Sequence, residues 1–263
     1  MSKKLDVWRR YKAEGRKLSL VTAYDYAFAH LAAQAGLDGL LVGDSLAMVV
    51  QGQTDTVGVD LHTMCYHTAM VARAAGDCLV FADLPLGSYE GSPTQAWESS
   101  VALLKAGADV VKLEGGAEMV DSVAFCAQRG INVCAHLGLT PQRVRQWGRF
   151  RRAGKTADEA AQLEADAARL AQAGAAFLLL EAVPQELAAR ITRNSPVPVI
   201  GIGAGPDTDA QVLVLHDVLG LSERTPRFAR AFMQGAEIVT DALRNYADAV
   251  RLGHFPPDAG ATD

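Results

Sequence analysis

Four apolar runs in this chain end in charged side chains, a pattern that few folds accommodate. They are Leu40-Leu-Val-Gly-Asp44, Leu79-Val-Phe-Ala-Asp83, Val110-Val-Lys112-Leu-Glu114 and Phe177-Leu-Leu-Leu-Glu181. Continuous apolar runs of this length, bounded by Gly or Pro, read as strands buried on both faces, as in a parallel sheet covered by helices. In such folds the chemistry gathers at the carboxyl ends of the strands, where loops shape a pocket over a rigid base. The repetition therefore points to an active site at that end of the sheet.

Strand and helix signals alternate along most of the chain. A first strand, Leu18 to Ala23, leads to a helix capped by Asp25 that ends near Gly36. The second strand ends at Asp44, and a helix from Asp60 to Ala75 follows. After the third strand, Ser92-Pro-Thr-Gln95 opens a helix that stops at Gly107. The fourth strand is followed by a helix to Gly130, and the fifth strand is Asn132-Val-Cys-Ala-His136. Thr156-Ala-Asp-Glu159 reads as a capping box for a helix ending at Gly174. Glu181 ends the sixth strand, Pro198 to Gly203 forms the seventh, and Val212-Leu-Val-Leu-His-Asp217 is the eighth candidate. A closing helix spans Arg227 to Leu252. The expectation is one domain over residues 1–263, a (β/α)8 barrel with a short N-terminal helix and a loose tail after Pro257. An open doubly wound sheet is the alternative. The stretch from Gly203 to Gln211 is too short for a crossover helix of about a dozen residues, so it is either a tight turn or an irregularity of the barrel.

The chain has 263 residues, about the usual size of such a barrel, and no Pro/Ser-rich linker divides it. A net charge of −5 argues against nucleic acid as the main partner. No apolar run is long enough to span a bilayer, and the first residues lack the apolar core of a signal peptide. Cys65, Cys78, Cys126 and Cys134 show no C-x-x-C spacing and read as buried free thiols of a cytoplasmic protein.

Asp44 and Asp83 lead the candidate residues. Two carboxylates converging on one spot repel each other unless a proton or cation lies between them, and oxygen ligands suit Mg2+ better than Zn2+. Glu114 would complete the set, and Lys112 faces the same way because side chains alternate along a strand. The competing reading is a Lys112–Glu114 ion pair with helix-capping aspartates. Glu181, set among leucines, would have its proton affinity raised as a general base requires; otherwise it is a solvated strand tip. His136 is a catalyst or a hydrogen-bonded core residue, and His216 and Asp217 carry the same ambiguity. Gly201-Ile-Gly-Ala-Gly205 fails as a dinucleotide motif, since the third glycine of G-x-G-x-x-G would fall at Pro206. Either these glycines let backbone approach a ligand or they fit a narrow strand end. The long connections 45–59 and 137–155 are lids or surface decoration. The second is basic, with Arg143, Arg145, Arg149, Arg151, Arg152 and Lys155.

These segments resemble the ketopantoate hydroxymethyltransferase family along nearly the whole chain. The resemblance rests on Val21-Thr-Ala-Tyr-Asp-Tyr26, Val42-Gly-Asp-Ser-Leu46, Tyr66-His-Thr68, Ala82-Asp-Leu-Pro85, Gly87-Ser-Tyr89, Lys112-Leu-Glu-Gly-Gly116, Gly138-Leu-Thr-Pro-Gln142, Leu180-Glu-Ala182 and Ile200-Gly-Ile-Gly-Ala-Gly205. Ala47, Ala210 and the basic stretch after Gln142 depart from the family pattern. The resemblance implies a barrel of the phosphoenolpyruvate/pyruvate type, a homodecamer, and Mg2+ with 5,10-methylenetetrahydrofolate acting on 3-methyl-2-oxobutanoate. It places metal binding at Asp44, Asp83 and Glu114, oxo-acid contacts at Asp44, Ser45, Asp83 and Lys112, and proton abstraction at Glu181. His136 is a supporting candidate. A lyase or mutase of the same barrel class, or a barrel that only binds a metabolite, are the alternatives. Arg149, Arg151 and Arg152 are candidates to attract the glutamate tail of the folate.

Overall fold

The structure is a computed structural model and describes residues 3–148 and 153–257. Eight parallel strands, joined in sequence order, close into a barrel. They are β1 (Leu18–Thr22), β2 (Gly39–Val42), β3 (Leu79–Asp83), β4 (Val110–Glu114), β5 (Val133–Gly138), β6 (Phe177–Glu181), β7 (Val199–Ile202) and β8 (Ala210–Leu213). Closure rests on β8 pairing with β1, Leu20 opposite Val212. This excludes the open doubly wound sheet, whose edge strands would stay unpaired.

The helices are α1 (Lys3–Ala13), α2 (Tyr26–Gln34), α3 (Leu46–Val49), α4 (Leu61–Ala74), α5 (Pro93–Ala106), α6 (Val120–Ala127), α7 (Val144–Trp147), α8 (Ala157–Gln172), α9 (Gln185–Asn194), α10 (Leu215–Val218) and α11 (Val239–Arg251). Four of the outer helices start where cap chemistry places them. The side chains of Asp25, Asp60, Ser92 and Thr156 accept from the N–H of Phe28, Thr63, Gln95 and Glu159. At Thr156 the box is displaced by one residue, because the Glu159 carboxylate accepts from Lys155 N rather than from the cap itself. Helix α5 stops at Gly107, whose φ of +110° suits glycine and where a Cβ would lie 2.5 Å from the Ala72 methyl.

Three expectations need correction. The eighth strand is Ala210–Leu213, so His216 and Asp217 lie on α10 rather than on the strand. The closing helix begins at Val239, and residues 227–238 are irregular. Strand β1 ends at Thr22. The short connection after β7 is a turn without a helix. Its Thr208 hydroxyl donates to Ala210 O, and Gln211 Nε2 donates to Thr208 Oγ1 and Gly205 O. Asp209 ties it back by accepting from Lys12 Nζ and Val199 N, each at 2.8 Å. The tail after Pro257 lies outside the described residues, as do Arg149, Arg151 and Arg152.

Two apolar clusters follow from strand alternation. Outward residues such as Val111, Leu113, Leu178 and Leu180 pack against the helices. Inward residues fill the barrel, and α1 plugs its lower mouth. Trp8 of α1 meets Phe81 and Phe177 edge-on, with centroids 5.7 and 5.4 Å away, while Phe81 and Phe177 lie 5.1 Å apart. The indole is 2% exposed. Trp8→Ala would open a cavity beneath the barrel, and large aromatic deletions of this kind cost about 3–5 kcal/mol. Urea unfolding should show that loss, and the native fraction should keep the arrangement of the charged strand tips because the indole lies at the opposite end of the barrel.

Candidate active site

Successive inward positions turn from apolar to charged along each strand. On β3 they are Leu79, Phe81 and Asp83; on β4, Val110, Lys112 and Glu114; on β6, Phe177, Leu179 and Glu181. Strand register sets Asp83 beside Lys112 and Glu114 beside His136, while Gly138 lies beside Glu181. Asp44 and Ser45 follow β2 directly. All of the site residues expected from the sequence line one cavity of about 470 Å3 at the carboxyl end of the barrel: Asp44, Ser45, Asp83, Lys112, Glu114, His136 and Glu181.

Electrostatics dominate here because the groups are almost dry. Lys112 Nζ lies 3.2 Å from Asp83 Oδ1 and 4.0 Å from Glu114 Oε1, with the Lys112 and Asp83 side chains only 5% and 3% exposed. Burial alone would drive the proton off Lys112. Asp83, Glu114 and Asp44 outweigh it and hold the ammonium charged, above its ordinary value. Asp44 is pushed up to about 8, first by burial and then by repulsion from Asp83. Asp83 is raised by burial as well, against the pull of Lys112. Glu114 goes the other way: burial is overcome by His136 and Lys112, which hold its carboxyl below the usual range.

His136 bridges two carboxylates. Its Nδ1 lies 3.4 Å from Glu114 Oε1 and its Nε2 lies 3.3 Å from Glu181 Oε2. Burial and Lys112 both oppose charge on the ring, yet the two carboxylates raise it to about 9. Glu181 is thus placed against an imidazole rather than in purely apolar surroundings, and its side chain is 19% exposed. The next residue, Ala182, has φ +51°, the sole positive φ outside glycine among the described residues. Local strain of this type collects where a fold must hold a side chain in one direction.

Several site residues carry no strong sequence signal. Gln142, buried behind the carboxylates, donates from Nε2 to Asp44 Oδ2 and to Leu84 O, each at 2.9 Å. Its backbone N–H donates to Glu114 Oε2, and its Oε1 accepts from the Tyr89 hydroxyl at 2.6 Å. Tyr24 lies 3.0 Å from the Ser45 hydroxyl and orients it. Thr22, Ser222, Arg224 and Phe228 also line the cavity. The two long connections cover this mouth. Met48, Val49 and Thr56 come from the first; Leu139 and Pro141 come from the second. Arg145 ties them together through Asp55, Nε to Oδ2 at 2.8 Å, and Arg143 pairs with Glu118. Asp217 lines the cavity from α10 and accepts from Ser222, whereas His216 is not among its walls. Gly201, Gly203 and Gly205 serve packing: a Cβ on them would meet Thr208, Phe228 and Gln185 at 2.5, 2.7 and 2.5 Å.

Two buried carboxylate oxygens, Asp83 Oδ1 and Glu114 Oε1, lack a well-aligned hydrogen bond and face only the charges of Lys112 and His136, at 3.2 and 3.4 Å. Among the described residues no three His, Cys, Asp or Glu side chains converge as a ready-made metal cluster. The arrangement can therefore offer two carboxylates, Asp44 and Asp83, to a hard cation. It leaves the rest of the coordination to a bound acid and water, the usual mode for Mg2+. The cavity also offers an anchored ammonium and, at Glu181, a more accessible carboxylate.

A family model described as ketopantoate hydroxymethyltransferase matches residues 3–258. A 3-methyl-2-oxobutanoate hydroxymethyltransferase of Acidithiobacillus ferrooxidans is 64% identical over 257 residues, covering 98% of each chain. The enzyme of the same name from Pseudomonas putida is 50% identical, covering 93% of this chain and 92% of that one. Among solved structures, 2,3-dimethylmalate lyase, a PEP mutase/isocitrate lyase superfamily member, aligns with a TM-score of 0.60 at 18% identity over 81% of each chain. A phosphonopyruvate hydrolase in complex with oxalate and Mg++ aligns at 0.62 and 16% identity over 82% of each. Both share the barrel fold. With the family match spanning almost every residue, the chain belongs to the ketopantoate hydroxymethyltransferase family.

Proposed function

We propose that the chain transfers a hydroxymethyl group from 5,10-methylenetetrahydrofolate to 3-methyl-2-oxobutanoate, giving 2-dehydropantoate, with Mg2+ at Asp44 and Asp83 and with Glu181 as the base. Family membership supports the transfer and its acceptor. The observation that carries the site assignment is the buried pair Asp44 and Asp83. Both are held above the usual carboxylate range, and Lys112 Nζ, 3.2 Å from Asp83 Oδ1 and 4.0 Å from Glu114 Oε1, is one positive charge shared among three carboxylates. Such a pair is costly unless something positive compensates it.

Mg2+ would supply Lewis-acid polarisation of the 2-oxo acid, making its C3 hydrogen acidic. The folate supplies the one-carbon unit at the methylene level; a new C–C bond forms from C3 to that carbon, and water breaks its bond to nitrogen, supplying the hydroxyl and releasing tetrahydrofolate. The chain's own residues do the rest. Asp44 and Asp83 would hold the cation, and Gln142 keeps Asp44 in place. Glu114, occupied by His136, Lys112 and Gln142 N, would reach the ion only through water. Lys112 and the Ser45 hydroxyl present donors to the acid's oxygens. Glu181 accepts the C3 proton, and His136 holds that carboxylate from its inner side at 3.3 Å. Leu139, Leu179 and Ile202 line the cavity and keep water from the carbanionic carbon. Four free cysteines suit a reducing compartment and support a cytoplasmic setting. A homodecamer is the assembly that sedimentation should reveal.

Three outcomes are expected. Asp44→Ala and Asp83→Ala should each weaken Mg2+-dependent binding of 3-methyl-2-oxobutanoate by at least about tenfold, since each removes a charge-assisted contact of about 1.5–3 kcal/mol. Titration calorimetry that finds unchanged binding in both would remove the ion from this position. Glu181→Gln should slow deuterium exchange at C3, followed by NMR without folate, by about 10²–10⁴, while oxo-acid binding persists. Wild-type exchange in that variant would move the base elsewhere. The third outcome concerns protons. Asp44, raised to about 8, holds its proton below that pH, so an ion must displace it. Mg2+ binding near pH 7 should release about one proton and should release few above pH 9, with affinity rising between. Calorimetry in buffers of different ionisation heat reads that number directly.

A further inference from the structure

We propose that a second, basic cavity beside the active site binds the γ-linked glutamate tail of the folate donor, through Lys155, Arg227 and Arg230. This rests on the reading of the donor as a reduced folate and adds where its anionic end is held. The cavity, of about 710 Å3, opens at the carboxyl ends of β6 and β7. It begins at Ala182 and Val183, directly after the base Glu181, and shares one wall, Phe228, with the active-site cavity. A donor whose reactive carbon reaches Glu181 has its far end within reach of this space.

The charge pattern selects the ligand class. Lys155, Arg227 and Arg230 line the cavity and no Asp or Glu does, although the whole chain carries −5. Lys155 and Arg227 are exposed. Among the described residues neither side chain is paired with a carboxylate, unlike Arg143 and Arg145 nearby, which already hold Glu118 and Asp55. Arg230 is fixed by stacking, its guanidinium 4.4 Å from the Phe232 centroid and 5.7 Å from that of Phe255. Guanidinium groups bind carboxylates in a forked geometry that suits successive carboxylates on one chain. The active-site cavity combines apolar walls at Leu139, Leu179, Ile202 and Phe228 with the carboxylates Asp44, Asp83, Glu114 and Glu181, a lining that suits a flat heterocycle and repels a polyanion. The two spaces thus divide one amphipathic molecule between them.

The experiment compares tetrahydrofolate carrying one glutamate with the form carrying five, by titration calorimetry on the full-length enzyme. At 0.1 M salt the pentaglutamate should bind at least about tenfold more tightly. That advantage should shrink at 1 M, where the Debye length falls from about 10 Å to about 3 Å. The double variant Lys155→Gln with Arg227→Gln should lose most of the advantage, and Arg227→Glu should lose more. Folate-independent deuterium exchange at C3 should stay at the wild-type rate in both, which reports an intact fold and oxo-acid site. Arg230 is left in place because it packs on two rings. Equal affinity for the two folates in the wild type, or an advantage that survives the double variant, overturns the proposal. If methylenetetrahydrofolate neither binds nor supports turnover while exchange persists, the donor reading itself fails, and this proposal with it.

Discussion

A lysine ammonium buried inside the barrel sets the terms for everything around it. Removing such a charge from water costs several kcal/mol even after relaxation, so it persists only with anionic neighbours at short range. Lys112 has them: Asp83 and Glu114 by direct approach, Asp44 at longer range. Those anions outnumber the cation. When ionised, Asp44, Asp83, Glu114 and Glu181 carry four negative charges against two from Lys112 and a protonated His136. The excess of two equals the charge of one divalent cation. The protein's own substitute is protonation, and Asp44, raised to about 8 by burial and by Asp83, is a carboxylate on which a proton settles.

This excess also links stability to pH. Asp44 has a folded value of about 8 against an ordinary 3.8, and His136 about 9 against 6.5. Both groups hold protons in the native state that the unfolded chain releases. Stability is greatest below the ordinary values and declines as pH rises through the folded ones, for the carboxyl and the imidazole alike. A divalent cation held at Asp44 and Asp83, as proposed, would remove the need for the Asp44 proton. Binding only the folded arrangement, it would stabilise that arrangement most strongly where the proton has been lost.

Much of this was legible because strands impose a period of two and barrels put catalytic groups at one end. The terminal charges of four runs located the site, and the side-chain caps at Asp25, Asp60, Ser92 and Thr156 located helix starts. Long connections covering the mouth were readable from their length alone. What stayed hidden had a physical cause in each case. The run Val212-Leu-Val-Leu-His-Asp217 is apolar throughout, so nothing marks the point after Leu213 where strand gives way to the start of α10. Residues 227–238 have helix-compatible composition, but they fold irregularly and supply Phe228 to the cavity. Gln142 is neutral and sits in a turn, so no charge or periodicity singles it out, and its four contacts exist only once three separate loops meet. The resemblance to a known family included Gln142 in a quoted segment without assigning it work.

The proposed choice of Glu181 as the base, among four carboxylates, follows from how its surroundings differ from those of the other three. Glu114 and Asp83 are 1% and 3% exposed and are locked by Lys112 and His136. A proton placed on either would weaken the anionic neighbourhood that holds Lys112 charged. Asp44 is raised by burial and by Asp83. Glu181 reaches the cavity with a 19% exposed side chain, so as the proposed base it would be the one of the four in ready contact with solvent. Its inner oxygen is steadied by His136, and its backbone turns immediately into the strained Ala182. Protonating Glu181 would remove one of the two anions that hold charge on His136, yet Glu114 remains at 3.4 Å to hold the other side. As the proposed base, Glu181 would stand at the rim of the Lys112 charge cluster rather than within it, which would separate proton transfer at the mouth from the electrostatic work of the barrel.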